Sequence, residues 1–143
     1  MIRRIVRDMK QLWQIYKYVK LTNKVAVELD EKHPPKMRKA GFESWNPLSA
    51  ELKKRFVAAN PKITLREAHF INADAIKYEY LKGDTRIFDG NETDIVYLDT
   101  KGRSLIDTFP LGFMEELFKK HKYLGGLVSG LFLAVIAGLI KVI

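Results

Sequence analysis

The sequence predicts an α+β fold: a small cytosolic domain of about three helices and a four-strand meander, followed by one C-terminal transmembrane helix. Three observations predict this fold class. Apolar side chains recur at helical spacing in the first part of the chain. They alternate with polar side chains in its middle, and residues 123–140 form a continuous run without a charged residue.

Length and composition agree with one small folded unit. The chain has 143 residues, which suits one domain or a smaller domain with an appendage. It contains no cysteine, so disulfides, thiolate catalysis and cysteine-ligated zinc are excluded. The net charge is +8, and residues 1–60 hold 14 Lys and Arg against 6 Asp and Glu. Such a basic half suits an anionic lipid surface, a nucleic acid or an acidic partner.

Residues 1–30 are predicted to form a basic amphipathic helix. Its apolar positions follow the i, i+3, i+4, i+7 spacing of one helical face, and they are Ile2, Ile5, Val6, Met9, Trp13 and Tyr16. Basic side chains line another face, at Arg3, Arg7, Lys10 and Lys17. Two interpretations stay open. The apolar face packs on the rest of the domain, or it lies on a membrane surface with its cations on lipid headgroups.

Residues 31–47 are predicted to be a linker. It contains four residues that interrupt regular structure, at Pro34, Pro35, Gly41 and Pro47. It also carries a basic cluster that extends the predicted basic surface, at Lys36, Arg38 and Lys39. Nucleic-acid binding would require more stacking aromatic residues beside these cations, so the sequence argues against a nucleic-acid partner.

Residues 48–112 are predicted to form the small α+β domain, and two helices come first. Asn46 and Pro47 supply an N-cap residue and a proline at the first helical position of the helix that follows. Thr64 and Glu67 have the spacing of a capping box, which starts a short third helix.

Four short strands are predicted after these helices, at residues 76–80, 86–88, 95–99 and 104–109. Alternation of apolar and polar side chains is the main signal for them. The last two strands are predicted to be joined by a hairpin turn, in which Gly102 takes a positive φ.

Residues 113–143 are predicted to be a juxtamembrane and transmembrane helix. From residue 123 to the end, the run spans roughly 30 Å at ~1.5 Å per residue, the thickness of a bilayer's hydrocarbon core. The side chains expected at the membrane interface are Lys119, Lys120, Lys122 and Tyr123. Because nearly all cations precede this run, we expect a single-pass, tail-anchored protein whose N-terminal domain lies on the cytoplasmic or equivalent side.

A stripe of small residues runs along the same C-terminal segment. They recur at every fourth position, as Gly126, Gly130, Ala134 and Gly138. Small residues at this spacing let a second helix backbone approach closely. The stripe therefore predicts helix packing against other protein subunits.

The sequence contains no recognisable catalytic pattern. His33, His69 and His121 each lack a metal-ligand partner three or four residues away. Neither a phosphate-binding glycine loop nor a nucleophile elbow is present. We therefore expect no enzyme activity, no cofactor and no metal site.

The expected function is that of a non-catalytic, tail-anchored membrane protein acting as a structural, accessory or adaptor subunit of a larger membrane-associated complex. Its partners would be membrane lipid and other protein subunits, contacted through the transmembrane helix and the N-terminal helix. Two alternatives stay open. One is a homo-oligomerising, membrane-permeabilising protein of the holin or effector kind, and the other is a binder of lipid headgroups or nucleic acid that uses the basic N-terminal half.

Overall fold

The computed structural model of the chain describes residues 2–32, 46–88 and 90–142. Within these ranges it contains six helices and one two-stranded sheet. The helices are α1 (Ile2–Lys32), α2 (Ser49–Ala59), α3 (Leu65–Lys77), α4 (Thr100–Asp107), α5 (Leu111–Lys120) and α6 (Lys122–Val142), and the strands are β1 (Leu81–Phe88) and β2 (Asn91–Leu98). The strands pair antiparallel, with Leu81 opposite Leu98 and Phe88 opposite Asn91.

The core is built around α1. No glycine or proline interrupts the 31 residues of this helix, and one of its faces is buried at Leu12, Ile15, Val19 and Thr22. Helices α2 to α5 and both strands each add at least one buried side chain to this core, among them Phe56, Ile71, Leu81, Val96, Leu105 and Leu117. The predicted N-terminal helix is confirmed, and it is a central element of the domain.

Tyr18 places an unpaired hydroxyl in this core. The side chain is fully buried, and its ring meets Phe56 edge-on, with 5.1 Å between ring centroids. The hydroxyl has no hydrogen-bond partner within the described part of the chain. Burial raises the pKa of Tyr18 above its ordinary value, so the phenol stays neutral. A buried hydroxyl left without a partner costs about 1–3 kcal/mol, which marks Tyr18 as a weak point of the core.

The N-termini of α2 and α3 test the predicted helix starts. The helix start predicted at Thr64 is confirmed, because Thr64 is the N-cap of α3 and its Oγ1 accepts a hydrogen bond from the backbone N–H of Glu67 at 3.2 Å. The N-cap role predicted for Asn46 is wrong, because α2 begins at Ser49. Pro47 lies before the helix, and its carbonyl accepts a hydrogen bond from the backbone N–H of Val96 in β2 at 3.0 Å. This bond holds Pro47 alongside the sheet.

The predicted four-strand meander is wrong. The second predicted strand lies within β1, and the third overlaps β2 as far as Leu98. The first is the end of α3 and the turn after it, where the backbone N–H groups of Glu79 and Tyr80 donate back to Ile76 and Ala75 at 3.0 and 2.9 Å. These bonds close the helix with Glu79 in the left-handed region at φ 66°, so the segment does not pair in the sheet.

The fourth predicted strand is also helical. Residues 104–107 belong to α4, which begins where Oδ1 of Asp99 accepts a hydrogen bond from the Thr100 N–H, at 2.7 Å. Gly102 is therefore a buried helical residue, and the positive φ predicted for it in a hairpin turn is wrong. A Cβ at this position would overlap the carbonyl oxygen of Tyr80. The glycine allows α4 to approach the backbone before β1.

The predicted transmembrane helix is contradicted as well. Within residues 2–32, 46–88 and 90–142, no helix combines the length and the apolarity needed to cross a membrane. Lysines lie in the first and last turns of α6, at Lys122 and Lys141. The tail anchor, the single-pass topology and the membrane location with a cytoplasmic N-terminal domain are therefore wrong.

Candidate interaction surfaces

The apolar face predicted on α1 is only partly covered by the domain. Tyr16 is buried in the domain and Ile5 is half-buried. A strip stays exposed at i, i+4, i+7 and i+11 spacing, at Ile2, Val6, Met9 and Trp13. Packing on the domain therefore uses only part of the predicted apolar face, and the strip keeps a substantial exposed fraction within the described chain.

Aromatic rings continue this strip onto the turn between α4 and α5. Phe109 stacks on Tyr16 with centroids 4.3 Å apart, and the Trp13 centroid lies 6.0 Å from those of Phe109 and Phe113. Leu111, at the start of α5, is 76% exposed. We call the exposed set the aromatic patch, and it consists of Ile2, Val6, Met9, Trp13, Phe109 and Leu111.

The predicted basic surface is only partly brought together. Arg3, Arg7 and Lys10 are exposed on α1 beside the aromatic patch. Lys17 is half-buried, and its Nζ donates to Oδ1 of Asn60 on the domain at 3.0 Å. The remaining three predicted members, Lys36, Arg38 and Lys39, lie outside the described residues.

Helix α6 presents a second apolar surface. Seven of its large apolar side chains are between 37% and 82% exposed, and they are Tyr123, Leu127, Leu131, Val135, Ile136, Leu139 and Ile140. The predicted small-residue stripe is exposed too, at Gly126, Gly130, Ala134 and Gly138. A Cβ built on any of its three glycines would meet no atom within 4 Å. The stripe therefore has no packing partner among the residues that the structure describes.

The four residues predicted at a membrane interface lie where α5 meets α6. Lys119 and Lys120 end α5, and Lys122 and Tyr123 begin α6. Between them, Nε2 of His121 lies 2.8 Å from Oδ2 of Asp8 on α1. Both side chains of this pair are largely buried, at 11% and 15% exposed. Because no described helix spans a membrane, the location of these residues is better described as the junction that fixes α6 to the domain.

A cluster of charged and aromatic groups joins α4 and α5 to the end of α3. The Tyr80 hydroxyl donates to Oε2 of Glu116 at 3.1 Å. Nζ of Lys101 lies 3.6 Å from the same carboxylate oxygen and 4.4 Å from the centroid of the Tyr80 ring. Lys119 donates to Oε1 of Glu116 at 3.3 Å. A cleft of about 480 Å³ adjoins the cluster. The polar and charged groups of the cluster serve as hydrogen-bond and ion-pair partners for one another, which is the arrangement of a structural network.

The carboxylate at the centre of this network is held ionised. Burial by itself would raise the pKa of Glu116, but the Lys101 charge and the hydrogen bonds from Lys119 and Tyr80 outweigh it, so the pKa lies below its ordinary value. Burial and the nearby Glu116 charge raise the pKa of Tyr80, which keeps the phenol protonated as a donor. The network therefore needs an ionised Glu116.

We expect Glu116→Gln to lower the free energy of unfolding by about 1–3 kcal/mol at pH 7, because a charge-assisted buried contact is lost. A carboxyl whose folded pKa is lowered stabilises the protein above its unfolded pKa of about 4.3 and loses that contribution as pH falls through the folded value. The difference between wild type and variant should therefore shrink below about pH 4. Urea unfolding at pH 7, 5 and 3.5 measures this, and a difference that grows with acid would contradict the account.

The histidines that the structure describes are engaged at separate places on the fold. Across the described residues, no three His, Asp or Glu side chains form a group that could hold a metal ion. Nδ1 of His69 lies 3.1 Å from Nζ of Lys53 on the surface, His121 is engaged with Asp8, and His33 lies outside the described residues. The surfaces of α1 and α6 are therefore the strongest candidates for function.

Only part of the aromatic patch could be predicted from the sequence. The exposed strip of α1 follows from helical spacing, whereas Phe109 was predicted to end a strand and Leu111 to follow it. A comparison of the chain with protein-family models finds no match, and comparisons with curated proteins and with solved structures find none either.

Proposed function

We propose that the protein is a non-catalytic accessory or adaptor subunit that joins a larger protein assembly through α6. The observation that supports this proposal most strongly is the row of large apolar side chains exposed along that helix. A helix that is apolar on all sides belongs in an interior. Here the interior would be formed together with the α6 helices of other copies of this chain.

The free energy available from covering α6 is substantial. Full burial of one Leu, Ile or Val side chain contributes about 1.5–3 kcal/mol. For the exposed parts of the six Leu, Ile and Val side chains among those seven, the total is on the order of 10 kcal/mol as an upper limit. This is comparable to the roughly 4–15 kcal/mol that association costs in lost freedom of motion. Apolar surface buried on the partner would add to the favourable total.

The small-residue stripe supports close helix packing in such an assembly. Gly126, Gly130, Ala134 and Gly138 lie about 100° around the helix from the row of Leu127, Leu131, Val135 and Leu139. A neighbouring backbone can approach closely over the stripe, while a second neighbour covers the larger side chains. Two different faces to cover favour a bundle over a single helix pair.

The test compares the full chain with a chain that ends at His121, both purified without detergent. We expect light scattering to give a monomer mass for the shorter chain and a larger, defined mass for the full chain, because only the latter has α6. The shorter chain should keep its helical circular dichroism, since α6 lies outside the core. A full chain that is a stable monomer at the same concentration would rule out the proposal.

A further inference from the structure

We propose that the aromatic patch and the cations beside it bind an acidic amphipathic helix of a partner protein. This surface is separate from the α6 surface on which the proposed function rests. Loss of one can therefore be measured while the other remains.

The apolar part of the surface has the composition of a protein-binding site. Tryptophan, other aromatic residues, methionine and arginine are enriched where protein interfaces bury their central side chains. Trp13 is 43% exposed and Phe109 is 38% exposed. Their rings are held in place by Tyr16 and Phe113, both buried. A partner would therefore meet side chains that are already ordered, which lowers the entropy cost of binding.

The shape of the surface suits a helix. The exposed strip runs along one side of α1 from Ile2 to Trp13, which is roughly 16 Å at ~1.5 Å per residue. That length matches about three turns of a partner helix, which would present apolar residues at i, i+3, i+4 and i+7. Phe109 and Leu111 widen the surface at one end.

The charges beside the patch select an acidic partner. Arg3 and Lys10 are exposed on α1 next to the strip, and Nζ of Lys20 lies 6.0 Å from the centroid of the Tyr16 ring. Asp8, the acid of this part of α1, is 15% exposed and is engaged with His121. Arg7 lies 3.7 Å from the same carboxylate while 75% of its side chain stays exposed. The border of the patch along α1 is therefore positive, and carboxylates at that edge of an apolar stripe would complement it.

Two other occupants fit these charges less well. The α6 helix of a second copy contains lysines and no acidic residue, so it would bring cations against cations. Nucleic acid would find two exposed rings in the patch, Trp13 and Phe109, while its other members are aliphatic side chains and a methionine on which a base cannot stack. An acidic amphipathic helix satisfies both the apolar strip and its border.

The experiment measures fluorescence anisotropy of three labelled synthetic peptides of 18 residues with the full chain. One has a leucine stripe at helical spacing with glutamate elsewhere. The second has the same composition in an order that breaks the stripe, and the third has lysine in place of glutamate. We expect the first peptide to bind at least about tenfold more tightly than either of the others, because it alone matches both features.

Matched variants locate the site. Arg3→Glu/Lys10→Glu should weaken binding of the acidic stripe peptide at least about tenfold, whereas Lys54→Glu/Lys62→Glu, with the same change of charge at exposed positions elsewhere, should stay within about twofold. Val6→Ser/Met9→Ser should also weaken it, and Leu65→Ser on α3 should not. None of these residues belongs to α6, so light scattering should show the same assembly in every variant.

Several results would overturn the inference. Equal binding of the first two peptides would mean that charge alone is recognised. Equal loss in both Glu pairs would mean that the net charge of the protein, and no particular surface, is responsible. No binding of the acidic stripe peptide at about 1 mM, the weak limit for a specific complex, would exclude the site. Stronger binding to a single-stranded oligonucleotide or to vesicles with 30% phosphatidylserine would assign the surface to another class of partner.

Discussion

Replacing Gly102 by alanine is expected to destabilise the protein by about 3 kcal/mol or more, since overpacking against a fixed backbone lies at the upper end of such effects. Gly102 is buried in α4, and the added Cβ would overlap the Tyr80 carbonyl oxygen and press on the carbon behind it. The same carbonyl accepts a hydrogen bond from the Asp99 N–H at 3.1 Å, directly before α4. Relief of the overlap would therefore disturb the start of the helix.

A second glycine provides the control. A Cβ at Gly83 in β1 would meet only Cδ1 of Ile76, at 3.2 Å, and the end of that flexible side chain can move aside. Gly83→Ala should therefore change the free energy of unfolding by less than about 1 kcal/mol. Urea unfolding followed by circular dichroism compares the two variants. Similar midpoints for both would contradict the close approach of α4 to Tyr80.

The second large effect is expected on α6. Leu131→Glu/Leu139→Glu should weaken assembly of the full chain at least about 100-fold, because burial of each leucine contributes about 1.5–3 kcal/mol and every 1.4 kcal/mol is a factor of ten. Both side chains are more than half exposed, and they lie two turns apart on one side of the helix. The stability of the domain core should stay unchanged. Sedimentation velocity over a range of concentrations measures the association.

The matched control introduces the same charge at exposed apolar positions outside α6. Leu65 on α3 is 54% exposed and Ile87 on β1 is 73% exposed. Leu65→Glu/Ile87→Glu should therefore leave association within about twofold of the wild type. Equal dissociation in both double variants would mean that added charge disperses the protein by repulsion, and the specific role of α6 would be lost.

Local patterns in the sequence predicted the helical first half better than the rest. The capping hydrogen bond at Thr64 depends on residues three apart, and α1 depends on a period that repeats along its whole length. The prediction of a strand at residues 76–80 was wrong, because alternation of apolar and polar residues over five positions also fits the last turn of a helix and the turn that closes it. The prediction of a strand at residues 104–109 was also wrong. The helix α4 that forms there depends on the N-cap at Asp99 and on the packing of Gly102 against Tyr80, which alternation within the segment does not indicate.

The candidate surfaces, too, could be predicted only in part from the sequence. Arg3, Arg7 and Lys10 could be placed on one face of α1 from spacing alone. The joining of that face to Phe109 and Leu111 could not, because it depends on where α4 turns into α5 around Tyr16. For α6, the apolar run was recognised, but its interpretation as a membrane span was wrong. Apolar composition alone does not specify what covers a helix.

The labelling rate of a single cysteine on α6 tests the central claim most directly. The chain has no cysteine of its own, so Leu131→Cys and the exposed control Lys54→Cys each carry one thiol. In the full chain, purified without detergent, we expect a maleimide to label position 131 at least about tenfold more slowly than position 54, because exposure controls thiol reactivity. In urea the two rates should become equal. Equally fast labelling of both positions in the native protein would show that α6 stays uncovered, and would contradict assembly through this helix.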